Sequence, residues 1–190
     1  MQKIMFNDRY HHTNAVIEER KTRATQIMAG IDFPVNMVMG RVLPDKDGKI
    51  YAVANGENII VKLRYKVGEV VAVAQCYNDV VREFTDLAFV PGSTNKMFVR
   101  ADLMPHQIRI IGIRCERLRD ISDEECIKEG VYAGSQALEY PYYFIDTKQF
   151  LICDYKSPRE AFAALIDKVS GRGTWDRNPW VVVYEFDLVK

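Results

Sequence analysis

A series of short β-type runs, separated by turn sequences, constrains the fold of this chain more than any other feature. Asn55-Gly56 lies between two such runs, and this dipeptide is a strong short-range signal for a β-hairpin. The segment that begins at Val67-Gly68 turns and then continues as an apolar run, which is typical of a strand buried on both faces. The predicted strands lie at 49–54, 59–63, within 67–74, and at 97–101, 108–116 and 180–188, with a further pair within 142–155.

Helices are fewer and are indicated by their capping residues. Ser157-Pro158-Arg159-Glu160 provides a serine N-cap, proline at the first helical position and glutamate at the third, and apolar residues then recur at helical spacing. Ser122 and Glu125 repeat the capping box for a short helix that ends near Gly130, and a third helix is predicted at 12–20. Many short strands with few short helices predict an α+β domain built as a partly open β-barrel.

The length and charge of the chain limit its domain count and its partners. A chain of 190 residues fits one domain, 1–190, with insertions at about 30–49 and 131–155, where no clear period is found. Lys plus Arg and Asp plus Glu each number 26, and this zero net charge argues against non-specific coating of a polyanion. A signal-peptide core, a membrane-span run and C-x-x-C spacing are all absent from the sequence. We therefore expect a reduced cytoplasmic protein with no membrane partner, no metal and no cofactor.

The segment 20–25, Arg-Lys-Thr-Arg-Ala-Thr, carries the densest group of functional side chains in the sequence. Cations at the end of the first predicted helix complement the negative end of the helix dipole, and this structural interpretation needs no ligand. The alternative is a site for an anion or a nucleic-acid backbone, in which Arg and Lys bind phosphate and Thr adds hydrogen bonds. On that interpretation the candidate ligand-binding residues are Arg20, Lys21, Thr22 and Arg23.

Five motifs follow one another over most of the chain. They are the Arg-Lys-Thr of segment 20–25 and the segments 65–73, 97–105, 116–131 and 175–186. Their order and content resemble the longer bacterial and phage-type members of the ASCH domain family, which belongs to the PUA-like β-barrel group. The resemblance implies a PUA-like fold with a cleft between the barrel and the first helices, and it implies roles in binding RNA or nucleotides.

The resemblance also bears on catalysis. Some short family members are amidohydrolases that act on acetylated cytidine, using a lysine, a threonine and a glutamate, and some are described as ribonucleases. Lys21 matches the lysine, but the threonine position falls on Ala24, with Thr25 one residue later, and the glutamate position falls at Arg109. A nucleophile needs its base within hydrogen-bond reach, and a one-residue shift along a strand turns Thr25 to the opposite face. We therefore expect a binding protein and keep hydrolysis through Lys21 as the alternative.

Other side chains extend the candidate site. Trp175 and Arg177 form a pair of the kind that stacks a base in single-strand recognition, although anchoring of the final strand is an equally supported role for Trp175. His11, His12 and His106 lack the ligand spacing of a metal centre, so we expect no metal there. His12 neighbours the basic segment in sequence and could reach the same cleft.

These observations predict a domain that binds RNA, a nucleotide or a modified nucleoside. Arg20 and Arg23 would hold phosphate, Lys21 would lie deepest, and Thr25 or Trp175 would orient a base, with Arg109 and Arg177 nearby. Two alternatives stay open: a nucleoside amidohydrolase or ribonuclease that uses Lys21, and a phage or mobile-element accessory module that binds another protein.

Overall fold

The computed structural model describes residues 1–28, 39–44, 50–54, 57–61, 63–80, 90–134, 143–147 and 152–189. Within them the chain forms eleven strands and five α-helices. The strands are β1 (Lys3–Ile4), β2 (Arg23–Ile27), β3 (Met39–Pro44), β4 (Ile50–Ala54), β5 (Glu57–Val61), β6 (Val70–Val73), β7 (Gln107–Arg117), β8 (Tyr132–Ala133), β9 (Tyr143–Ile145), β10 (Ile152–Tyr155) and β11 (Trp180–Leu188). The helices are α1 (His12–Ile17), α2 (Tyr77–Val80), α3 (Asp123–Lys128), α4 (Pro158–Ser170) and α5 (Thr174–Arg177).

The main sheet has five strands in the order β1-β6-β7-β11-β2. β1 pairs with β6 in parallel and the other neighbours are antiparallel, so the sheet is mixed. β1 and β2 are its two edges among the described residues, so this sheet is not closed into a barrel. The predicted α+β class is therefore confirmed in its general form.

The core lies on both faces of this sheet, and β11 shows why. Alternate residues of a strand point to opposite faces. Val182, Tyr184 and Phe186 belong to a buried cluster with the neighbouring strands β1, β6 and β7. Val181 and Val183 instead belong to a second cluster, which includes buried residues of α3 and α4. The apolar run at 180–184 therefore belongs to a central strand that is covered on both sides.

The capped helices follow the predictions closely. The Ser157 side chain accepts a hydrogen bond from the Glu160 backbone N–H at 3.1 Å, and α4 begins at the proline between them. The α3 helix begins with the complete capping box of Ser122 and Glu125. α1 is shorter than predicted because it ends at Ile17.

The predicted strand at 97–101 is wrong. Two short 3-10 turns, Lys96–Phe98 and Ala101–Leu103, replace it. The Asn95 side chain caps the first turn by accepting a hydrogen bond from the Met97 backbone N–H at 2.9 Å, and Met97 and Phe98 are exposed. Local capping by the asparagine therefore competes successfully with the β propensity of the apolar residues.

The remaining strand predictions are confirmed where the structure describes them. β4 and β5 form the predicted antiparallel hairpin, while Asn55-Gly56 itself lies outside the described residues. β9 and β10 form the predicted second pair. Described parts of the expected insertions at 30–49 and 131–155 contribute to two three-stranded sheets, and residues 30–38, 45–49, 135–142 and 148–151 lie outside the described ranges. No helix in the described part of the chain is long and apolar enough to cross a membrane.

Candidate functional site

The connection between α1 and β2 places the basic residues of segment 20–25 in different environments, some at the surface and some in the interior. After α1 ends, the backbone N–H groups of Arg20 and Lys21 both donate to the Ala15 carbonyl, at 2.8 and 2.9 Å. Arg20 points outward, where its guanidinium pairs with Glu18 at 2.5 Å and lies over the Tyr132 ring at 4.2 Å. Lys21 points inward and is only 3% exposed.

Lys21 is bound to Glu129, the residue that ends α3. Its Nζ donates to the Glu129 backbone carbonyl at 2.5 Å and to Glu129 Oε2 at 2.8 Å. A backbone hydrogen bond of 3.1 Å from Thr22 to the Lys128 carbonyl fixes the two segments side by side. Burial lowers the pKa of Lys21 from its ordinary value, and the nearby carboxylate of Glu129 opposes this shift.

Arg23 is buried at the start of β2 among three carboxylates. It pairs with Glu116, with Glu125 (Nη1 to Oε1, 2.6 Å) and with Glu129 (Nε to Oε1, 3.3 Å). Its side chain is 1% exposed, and the Nη1 contact is an ion pair without hydrogen-bond alignment. Arg23 therefore faces acidic side chains inside the protein, and its charge is already neutralised there.

Thr25 joins the same group. It lies two residues after Arg23 on β2 and so shares its face of the strand. Its Oγ1 donates a hydrogen bond to Glu129 Oε1. Lys21 and Thr25 therefore both contact Glu129, and the expectation that Thr25 turns away from the site is wrong. Alternation along β2 holds, but the face that meets Glu129 is that of Arg23 and Thr25, while Ala24 packs against the core of the main sheet.

Arg109, where the resemblance places the glutamate position, lies apart from Lys21. Arg109 is exposed on β7, in register with Val70 and Asp187, and it does not reach Lys21. Glu129 is the carboxylate at the site, although it was absent from the candidate residues. The sequence does mark this residue, because it is the glutamate of the Glu-Gly-Val that ends segment 116–131, one of the five segments that resemble the ASCH family.

These side chains line a pocket of about 170 Å³ between the N-terminal segment, β2 and α4. Its polar lining residues include His12, Lys21, Thr25 and Glu129. Its apolar lining residues include Phe6 from the N-terminal segment and several residues of α4. The other lining residues are Ile4, Met5, Asn7, Ala24, Gln26, Phe162, Leu165, Ile166, Val169 and Ser170.

Gly130 lies beside both His12 and Lys21. A Cβ added at Gly130 would lie 3.4 Å from His12 Cδ2 and 3.7 Å from Lys21 Cδ, and its φ of +103° favours glycine. Burial lowers the pKa of His12 well below its ordinary value of 6.5, and the charges of Lys21 and Lys96 lower it further. These effects favour the uncharged form of the imidazole.

The other predicted residues lie outside this pocket. Thr22 contributes backbone hydrogen bonds on both sides, to the Lys128 carbonyl and from the Phe186 N–H. Trp175 packs edge-on against Phe162, with ring centroids 6.2 Å apart, and two arginine side chains lie against its ring. Arg177 donates to Thr174 Oγ1 at 2.8 Å, so it serves its own short helix.

A second pocket of about 250 Å³ lies on the other side of the turn that precedes α1. It is lined by polar residues, and one of them, Asp8, is already paired with Lys96 at 2.8 Å. No group of three or more His, Cys, Asp or Glu side chains among the described residues could hold a metal ion. The lining residues are Asp8, His11, Thr13, Asn14, Gln75 and Asp79.

The fold and the pocket define an α+β protein with a lysine, a threonine and a glutamate joined at one wall of a cavity. Comparison of the chain with protein-family models, with curated proteins and with solved structures gives no match.

Proposed function

We propose that the pocket beside Lys21 binds a small uncharged ligand of the nucleoside class. The observation that carries this proposal is the pairing of the cations. Arg20 is paired with Glu18, Lys21 with Glu129, and Arg23 with three glutamates. A phosphate bound to Lys21 or Arg23 would have to displace largely buried carboxylates from them, which is unfavourable because each displaced carboxylate would lose its partner away from water. Arg20 forms an exposed pair and does not line the pocket.

The lining of the pocket supports the same ligand class. A base or sugar carries hydrogen-bonding groups on its edges and apolar faces on its ring, and the pocket is lined by both polar and apolar side chains. The nucleoside is the uncharged member of the three ligands that the ASCH resemblance implies. We also propose that the main sheet has a PUA-like arrangement, and the order of the five sequence motifs supports this part of the proposal.

Hydrolysis of an amide on that nucleoside is a second candidate, favoured by the contacts of Glu129. Thr25 Oγ1 donates to one carboxylate oxygen of Glu129 while Lys21 Nζ holds the other at 2.8 Å. In the proposed step Thr25 Oγ attacks the amide carbonyl, and its proton passes to Glu129. The carbon–nitrogen bond then breaks, the leaving amine takes that proton, and water releases the acid from the threonine ester. Lys21 has its pKa lowered by burial, the direction that suits proton exchange near neutral pH.

Binding is tested by calorimetry with cytidine, cytidine monophosphate and a short single-stranded RNA. We expect cytidine to bind, the monophosphate to bind less tightly, and the affinity to change little with salt. Lys21→Met should abolish binding, while Arg109→Met, at an exposed position outside the pocket, should leave it unchanged. Tighter binding of RNA, with a log–log salt slope of about one per phosphate contact, would contradict the proposal.

Hydrolysis is tested by following the release of acetate from acetylated cytidine. We expect Thr25→Val, which removes the hydroxyl and keeps the shape, to abolish turnover. Thr22→Val is the matched control, because Thr22 contributes only backbone bonds outside the pocket. Equal turnover by the wild type and by Thr25→Val would show that Thr25 is not the nucleophile.

A further inference from the structure

We propose that His12 is a ligand-binding residue of this pocket and that its imidazole accepts a hydrogen bond from the bound nucleoside. This inference rests on the proposed function, because it assigns a specific contact within the same pocket. Sequence reasoning placed His12 only near the site, without a role.

The first step of the argument is the position of the ring. His12 begins α1 and lines the pocket together with Lys21, Thr25 and Glu129. Tyr10 lies against it, with ring centroids 6.0 Å apart, and the backbone of Gly130 approaches its Cδ2–Nε2 edge. The ring is therefore held between an aromatic side chain and a glycine backbone at the wall of the cavity.

The second step is the hydrogen bonding of its neighbours. Glu129 already receives hydrogen bonds from Lys21 and Thr25, and it also pairs with Arg23. Among the described residues, no partner hydrogen-bonds to the ring nitrogens of His12. Much of the hydrogen-bonding capacity of the other polar groups is thus used within the protein, whereas the imidazole lines the pocket with its capacity unused by the described residues.

The third step is the charge of the ring. The titratable groups that surround it are Tyr10, Lys21, Lys96 and Glu129, and the two lysines disfavour a second positive charge beside them. An uncharged imidazole has one nitrogen that donates and one that accepts. An amino or hydroxyl group of a nucleoside is a donor that matches the accepting nitrogen.

The experiment compares the wild type with His12→Phe, His12→Asn and His12→Gln, using cytidine and acetylated cytidine as probes. Phenylalanine keeps the ring shape without nitrogen, and the two amides offer an acceptor near one or the other imidazole nitrogen. We expect His12→Phe to weaken binding by about fivefold and one of the amides to recover most of that loss. Thermal unfolding of each variant shows that the fold is retained.

A second measurement needs no variant. The nitrogen-15 shifts of the His12 imidazole in the wild-type protein should change when cytidine binds, because a nitrogen that gains a hydrogen bond changes its shielding. Unchanged shifts, or equal binding by the wild type and all three variants, overturn the role of His12 while leaving the proposed function intact. A wild-type protein that binds neither probe overturns the proposed function and the role of His12 together.

Discussion

Replacement of Arg23 by methionine tests the buried charge network most directly. Methionine is an unbranched side chain that fills much of the same space without a charge. Arg23 is 1% exposed, and its loss removes one cation from each of Glu116, Glu125 and Glu129. Two of these carboxylates keep Arg114, and the third keeps Lys21 at 2.8 Å.

The expected loss of stability follows from this count. Removal of one partner from a buried ion pair lowers the free energy of unfolding by about 3–5 kcal/mol. Because all three carboxylates keep another cation, we expect Arg23→Met to lower it by about 3 kcal/mol, at the low end of this range. For a chain of this size that corresponds to a fall in Tm of about 8 °C. Arg114→Met is the matched control, because Arg114 contacts the same Glu116 and Glu125 but is 34% exposed. Arg114→Met should lower the free energy of unfolding by only about 1 kcal/mol.

Urea unfolding at several pH values supplies the assay. Burial opposes ionisation of Glu125, but a backbone hydrogen bond from Ser122 and the charges of Arg23 and Arg114 lower its pKa below 4.5. Ionised Glu125 therefore stabilises the folded state above about pH 4.5, and this stabilisation is lost as the pH falls through the pKa of Glu125 in the folded protein. The difference between the wild type and Arg23→Met should therefore narrow below about pH 4.5. A loss no greater than that of Arg114→Met at pH 7 would refute the reasoning.

Three further predictions concern the walls of the site and the helix beside it. Gly130→Ala should lower the free energy of unfolding by about 1–2 kcal/mol, measured by urea unfolding, because alanine is strained at a φ of +103°. Ser157→Ala should cost about 1 kcal/mol in the same assay, through the lost hydrogen bond from the Glu160 N–H. Lys96→Met should raise the pKa of His12 in an NMR titration, because the charge of Lys96 lowers that pKa.

The parts of the fold that the sequence predicts are those determined by local interactions. The helix α4 depends on a serine, a proline and a glutamate within four residues, and each acts on the adjacent backbone. The hairpin of β4 and β5 is indicated by the Asn55-Gly56 dipeptide between two short β-type runs, a signal contained within a few adjacent residues. Met97–Ala101 shows the limit of such arguments, because capping by Asn95 decided between a strand and a turn.

The site itself depends on contacts between distant segments, and so the sequence predicted it only in part. The basic segment 20–25 was recognised, and Lys21 and Thr25 were among its candidates. The partner that joins them, Glu129, lies 108 residues after Lys21. Local composition could not show that Glu116 and Glu125 neutralise Arg23, and a dense group of cations therefore resembled a phosphate site. The balanced charge of the whole chain is consistent with these contacts, because the cations find their counterions within the protein.

A buried network of this kind is weak evidence for stability, since well-packed apolar residues often replace such networks without loss. Perturbed ionisable groups beside a cavity are instead typical of functional sites. The combined variant Lys21→Met, Arg23→Met, Glu129→Leu separates these roles, because it removes both cations together with the carboxylate that joins them. Glu116 and Glu125 keep Arg114, so this variant should be more stable than Arg23→Met alone, in the same urea assay. It should nevertheless fail to bind cytidine. Binding equal to that of the wild type would mean that the network serves the fold and not the pocket.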